Sequence, residues 1–104
     1  MKVLQIVPRQ GKHLYGAIVR KQADIRKSGR GTFFRLGVRK RQATRWKHVR
    51  YKGWVHLQPG LSGAVTVKIK SPVKGDESRL LSAFLGWLDR HFGDQVLSVS
   101  IQYQ

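Results

Sequence analysis

Side chains that suit contact with phosphates and bases are concentrated in residues 26–52. Arginine outnumbers lysine there, and its planar guanidinium matches phosphate oxygens and guanine edges. The segment therefore predicts a nucleic-acid-binding surface made of a basic loop and a β-hairpin. The predicted contact residues are Arg26, Lys27, Arg30, Arg35, Arg39, Lys40, Arg41, Arg45, Trp46, Lys47, His48, Arg50 and Lys52.

Aromatic rings stand between these cations, and they have two alternative uses. Phe33, Trp46, Tyr51 and Trp54 either stack on bases or pack in the protein core. The core is the expectation for Tyr51 and Trp54. Both uses stay open for Trp46, which alternation places on the strand face opposite Val49.

The charge of the chain is large and uneven. The 104 residues carry a net charge of +16. Residues 1–75 hold 19 basic residues and one acid, Asp24, whereas residues 76–104 hold two basic residues and four acids. A solvated surface normally mixes both signs, so this excess indicates a polyanionic partner that faces one part of the fold. A second basic cluster would extend the surface and consists of Arg9, Lys12, Arg20 and Lys21.

The residues needed for hydrolysis are scarce in the basic part of the chain. Cleavage of nucleic acid usually needs carboxylates that hold metal ions or a histidine acid–base pair. The basic part offers only Asp24, the four histidines lack metal-site spacing, and there is no cysteine. We therefore expect no catalysis, no metal and no cofactor. The alternative is a small basic ribonuclease toxin in which His48 acts with Arg50 and Tyr51.

Alternating apolar and polar residues predict the strands that would carry the contact surface. They are expected over residues 2–7, 32–40, 45–57 with a bulge or bend at Gly53, 64–70 and 95–103. The second and third form the hairpin, which can follow phosphates or enter the major groove of DNA, so DNA is slightly favoured over RNA. The outward-facing residues of the hairpin are expected to be Arg35, Arg39, Arg41, Trp46, His48 and Arg50.

One helix is clear from the sequence, over residues 76–92, with an apolar stripe at three- and four-residue spacing and Asp76 as its N-cap. Residues 14–27 fit either a helix or a strand. The predicted fold is one α+β domain over residues 1–104. It is an antiparallel meander with a C-terminal amphipathic helix packed on one face and a final strand returning to the sheet.

The element order offers a limited comparison with a known class of domain. With residues 14–27 helical, the order to residue 92 would be α-β-β-β-α, as in double-stranded RNA-binding domains. Those domains carry a basic cluster at the start of their second helix, where this chain has Asp76 and Glu77. We therefore predict no membership.

The predicted partner is DNA or RNA, and an acidic protein is the alternative, with the chain acting as a small inhibitor or adaptor. Leu80 and Trp87 border the helix stripe and are expected in the core, with a homodimer face on a wide apolar band as the alternative. No membrane partner is expected, because the apolar stretches fall far short of the ~20 residues that span a bilayer. A cytoplasmic location is expected, since there is no cysteine and the apolar N-terminal stretch is too short for a signal peptide.

Overall fold

In the computed structural model, which describes residues 1–38 and 42–104, an antiparallel sheet packs against two helices. The elements are β1 (Lys2–Pro8), α1 (Leu14–Lys27), β2 (Phe33–Leu36), β3 (Thr44–His48), β4 (Trp54–Pro59), β5 (Val65–Lys70), α2 (Asp76–Phe92) and β6 (Val96–Tyr103). The strand order across the sheet is β2-β3-β4-β5-β1-β6. The α+β prediction is confirmed, including the C-terminal helix and the strand that returns to the sheet after it.

The meander runs from β2 to β5, and β1 pairs with β5 next to it. Helix α1 carries the chain from β1 to the far edge at β2, and α2 carries it from β5 to the opposite edge at β6. The two chain ends meet there, because the Met1 amino group donates to the Gln104 carbonyl oxygen at 3.0 Å. Within the described ranges, no helix is long and apolar enough to cross a membrane.

Both helices cover the same face of the sheet. Alternate strand residues such as Leu4, Val55 and Val67 are fully buried there against α1 and α2. At the β2–β3 end the core is aromatic, since Phe33, Trp46, Phe84 and Trp87 lie with ring centroids 5.2–6.4 Å apart. Such tilted, edge-on and stacked pairs add to the free energy of burial.

Two residues considered for a homodimer face belong to this core. Leu80 is 0% exposed and Trp87 is 5% exposed. Both are covered by side chains of the same chain, so neither is free to contact a second copy. The expectation that these two residues belong to the core is confirmed.

Residues 14–27 form a helix, which resolves the alternative left open by the sequence. Leu14, Ile18 and Gln22 point into the core, and Gln22 Nε2 donates to the Phe33 carbonyl oxygen at 3.1 Å. This bond ties α1 to β2. The second strand of the predicted hairpin also differs from the expectation, because residues 45–57 contribute to two strands, β3 and β4. Four strands therefore lie between the helices, and the order of double-stranded RNA-binding domains is not matched.

A turn at residues 49–53 separates β3 from β4, where the sequence predicted one strand with a bulge or bend. Gly53 has φ +121°, and a Cβ there would collide with the Lys70 carbonyl oxygen and the Leu80 side chain. Only glycine allows this conformation and this close approach. His48 closes the turn, because its Nδ1 accepts the N–H groups of Arg50 at 3.0 Å and Tyr51 at 3.4 Å.

Helix α2 has the predicted bounds, but Asp76 is not its N-cap. That position is held by Gly75 at φ +90°. Asp76 accepts the backbone N–H of Lys52 at 2.9 Å and Arg79 Nη1 at 3.0 Å. These bonds lower the pKa of its carboxyl, with the Lys52 N–H as the largest cause. The acid therefore anchors the turn between β3 and β4 to the start of α2.

Candidate nucleic-acid interface

One face of the sheet has no helix of the described chain packed on it, and we call it the open face. Strand residues alternate between the two faces, so the neighbours of the buried positions point to this side. The open face is formed by Val3, Gln5, Val7, Phe34, Leu36, Arg45, Lys47, Trp54, His56, Gln58, Thr66, Lys68, Lys70, Ser98, Ser100 and Gln102.

All charges on the open face are positive. Arg45 and Lys47 lie on β3, and Lys68 and Lys70 lie on β5. None of the described strands contains an acid. Four of the five acids lie on the helices, and Asp94 directly follows α2. The open face therefore carries four cations and no acid among the described residues.

No described carboxylate forms an ion pair with the cations of the open face. In the part of the chain that the structure describes, only two lysine or arginine side chains lie within 4.0 Å of a carboxylate. Lys2 contacts Glu77 at 2.9 Å, and Arg79 contacts Asp76 at 3.0 Å. Arg45, Lys47, Lys68 and Lys70 thus keep their charges available for an external anion.

The strand register arranges the open face in two rows across β2, β3, β4 and β5. Each row has an apolar side chain, a cation, a ring and a second cation. The rows are two residues apart along each strand, or about 6.6 Å, and neighbouring strands are about 4.8 Å apart. The first row is Phe34, Lys47, Trp54 and Lys70, and the second row is Leu36, Arg45, His56 and Lys68.

A concavity accompanies each row. The first has a volume of about 430 Å³ and is bounded by Phe34, Lys47, Trp54 and the turn at residues 49–53. The second has a volume of about 420 Å³ and is bounded by Leu36, Arg45, His56 and the ends of the β2–β3 connection. The two rings of β4 thus line neighbouring, solvent-open depressions.

His56 has a cation on each side, Arg45 on β3 and Lys68 on β5. Partial burial lowers the pKa of its imidazole most, and repulsion from Arg45 and Lys68 lowers it further. The ring is therefore neutral near pH 7. It offers an uncharged flat surface within a positively charged row.

Trp46 is the clearest error among the predicted contact residues. Its side chain is 0% exposed, and it packs in the aromatic core against Phe84 and Trp87. Its predicted outward orientation is wrong, because it lies on the helix side of β3. The ring is therefore closed to base stacking. Its indole N–H has no hydrogen-bond partner among the described residues.

Some of the other predicted contact residues lie on the open face, some border it, and some lie elsewhere. Arg45 and Lys47 lie on it, and the turn that carries Arg50 and Lys52 borders the first concavity. Arg35 lies opposite Trp46 on the helix side, although it is exposed at the sheet edge. Arg39, Lys40 and Arg41 lie outside the described residues.

Three predicted residues lie at the end of α1 and in the loop after it: Arg26, Lys27 and Arg30, all exposed. The Arg26 guanidinium lies 5.9 Å from the centre of the Phe34 ring, so this basic loop borders the β2 edge of the open face. Arg20 and Lys21 of the second basic cluster lie on α1, which covers the opposite face of the sheet. Lys21 on α1 is close enough to His91 on α2 to lower its pKa, after the larger effect of burial.

The side chains considered for a ribonuclease are adjacent, but the histidine has a structural role. The rings of His48 and Tyr51 stack with centroids 4.7 Å apart. His48 Nδ1 is occupied by the backbone N–H of Arg50, which leaves only Nε2 for a proton transfer. Burial, followed by the charge of Arg50, lowers the pKa of His48.

Sequence reasoning missed Phe34 and His56 as rings of the open face, and it expected Trp54 in the core rather than at the contact surface. The signal was present, because Val55 and Leu57 alternate with Trp54 and His56 in the same way that Val65 and Val67 alternate with outward residues of β5. Lys68 and Lys70, which alternate with the buried Val67 and Ile69, were not included in the predicted contact surface. No protein-family model, curated protein or solved structure matches this chain.

Proposed function

We propose that this protein binds nucleic acid through the open face, without catalysis. The observation that supports the proposal is the set of four cations, Arg45, Lys47, Lys68 and Lys70, on strands that carry no acid in the described chain. A polyanion that covers this face relieves the repulsion among them and releases its own counterions. The gain in binding free energy is largest for a partner that carries a regular row of phosphates.

The spacing of the cations suits a phosphate backbone. Arg45 and Lys47 form one stripe on β3, and Lys68 and Lys70 form a second stripe two strands away, at about 10 Å. Contacts with phosphates carry affinity and orientation rather than sequence preference. The turn with Arg50 and Lys52 and the loop with Arg26 and Arg30 extend the charge at the rim. We propose DNA or RNA as the partner and the cytoplasm as the location.

A pair of charge-neutralising substitutions tests the proposal. Arg45→Gln with Lys68→Gln removes two cations that flank one ring of the open face. We expect weaker binding to a labelled oligonucleotide, with the slope of log affinity against log salt reduced by about 0.7–0.9 per lost phosphate contact. Fluorescence anisotropy at several salt concentrations measures both quantities.

The matched control is Arg20→Gln with Lys21→Gln, which removes the same charge from the exposed surface of α1. It should change the slope much less. Equal effects of the two pairs would mean that net charge alone drives binding, and the assignment to the open face would be wrong. Weak binding of the parent to every nucleic acid would instead favour an acidic protein partner.

A further inference from the structure

We infer that the open face holds two consecutive unpaired bases of a single strand, one in each concavity, against Trp54 and His56. This inference rests on the proposed function and adds the kind of nucleic acid to it. The two rings come from the same strand, two residues apart, and point to the same side. Each lines its own concavity.

The two concavities are built from the same kinds of side chain. Each has a ring from β4, a cation from β3 and an apolar side chain from β2, because the register repeats after two residues. A flat ring in an apolar recess suits the face of a base, and the cation beside it suits the phosphate that follows. Each concavity offers one ring and one cation, and each nucleotide has one base and one phosphate. The two concavities therefore match two successive nucleotides.

Access to the faces of a base differs between a duplex and a single strand. In a duplex, the faces of each base are covered by its neighbours, and only the edges are open in the grooves. The volumes of about 430 Å³ and 420 Å³ can accept a whole base that is free of its stack. Recognition through base faces therefore requires unpaired nucleotides, as in other proteins that stack bases on a sheet surface.

Cations flank both rings of β4. Lys47 and Lys70 lie on either side of Trp54, and Arg45 and Lys68 lie on either side of His56. A strand that runs along β4 would place its bases on the rings and its phosphates toward either stripe of cations. The low pKa of His56 supports the arrangement, because the neutral ring adds no charge at the stacking position.

Tryptophan fluorescence gives a direct test. Trp46 is 0% exposed and Trp87 is 5% exposed, whereas Trp54 is half-buried and borders the first concavity. A stacked base should therefore quench Trp54 alone. The probes are an oligothymidylate and an oligouridylate, a blunt duplex with the same number of phosphates, and an abasic deoxyribose-phosphate oligomer of the same length.

We expect the single strands to quench the emission strongly and the duplex and abasic oligomers to quench it weakly. Trp54→Phe should retain binding and lose the quench. Trp54→Ala should lower single-strand affinity by about tenfold, with an unchanged salt slope. Tyr103→Ala, which removes a ring 69% exposed on the helix side of β6, should leave affinity unchanged.

The inference is overturned if the duplex quenches as strongly as the single strands, or if Trp54→Ala binds single strands as tightly as the parent. A further outcome is that Trp54→Ala has no effect while Arg45→Gln with Lys68→Gln weakens binding. In that case the open face binds phosphates, and the assignment of base sites to Trp54 and His56 is wrong. Absence of salt-dependent binding to every probe would remove the proposed function itself. Far-ultraviolet circular dichroism of each variant establishes that it is folded.

Discussion

The titration of His56 should link binding to pH. In the free protein its pKa is lowered by burial and by Arg45 and Lys68. Phosphates placed beside the ring would raise that pKa, so the complex takes up a proton that the free protein does not hold. Affinity should therefore increase as pH falls from about 7.5 to 5.5.

The matched variant is His56→Phe, which keeps a flat ring but cannot titrate. Anisotropy with an oligothymidylate, whose base does not titrate in this range, should show a smaller increase in affinity than the parent does. An increase equal to that of the parent would assign the pH dependence to another group and contradict the position of His56 beside the phosphates.

Stability changes over the same pH range and must be followed separately. The pKa values of His48, His56 and His91 are all lowered in the folded chain. The unfolded chain therefore takes up protons first, and the free energy of unfolding decreases as pH falls below about 6.5. Circular dichroism at each pH shows whether the binding measurement is made on folded protein.

Among the structural elements, the turn between β3 and β4 has the strictest backbone requirement. Gly53 combines φ +121° with a close approach to Lys70 and Leu80. Gly53→Ala should lower the free energy of unfolding by about 1–3 kcal/mol from strain, and by more where the collision is not relieved. Urea unfolding measures the difference from the parent.

The control for this substitution is Gly29→Ala. Gly29 also has a positive φ, +80°, but a Cβ there would meet nothing within 4 Å. It reports the cost of a positive φ without a steric collision, so Gly53→Ala should be the more destabilising of the two. Equal losses would show that the close approach to β5 and α2 contributes nothing.

The same turn explains why the sequence predicted the hairpin but assigned its faces wrongly. Extending β3 to Lys52 made Val49 and Tyr51 appear to form its apolar face, with Trp46 opposite them. Since β3 ends at His48, those two residues belong to the turn, and Trp46 is core. On β3, alternation determines which residues share a face, but it does not determine which of the two faces the helices cover.

Other elements were predictable because their signals are local. The apolar stripe of α2 and the apolar–polar alternation of β5 each extend over several residues. Each pattern is therefore long enough to show which side of the element is buried. The assembly of the two rows was not predictable, since it depends on the pairing of Trp54 with Lys70 and of His56 with Arg45. Only the register brings these residues of distant segments together.

For the whole molecule, the separation of charge determines how an anion would approach. The acids lie on or directly after the helices, and the unpaired cations of β3 and β5 lie on the opposite side of the sheet. A field of this kind orients a polyanion before contact and accelerates association at low salt. It therefore favours contact through the open face.

The most direct test of this account is to map the contact by nuclear magnetic resonance. A single-stranded oligonucleotide is added to uniformly ¹⁵N-labelled protein, and backbone amide shifts are followed in the folded parent. The account predicts the largest changes at Arg45, Trp54, His56 and Lys68, with small changes at Arg20 and Lys21 on α1. Changes centred on α1 and α2, with the open face unaffected, would contradict the binding of nucleic acid to the open face.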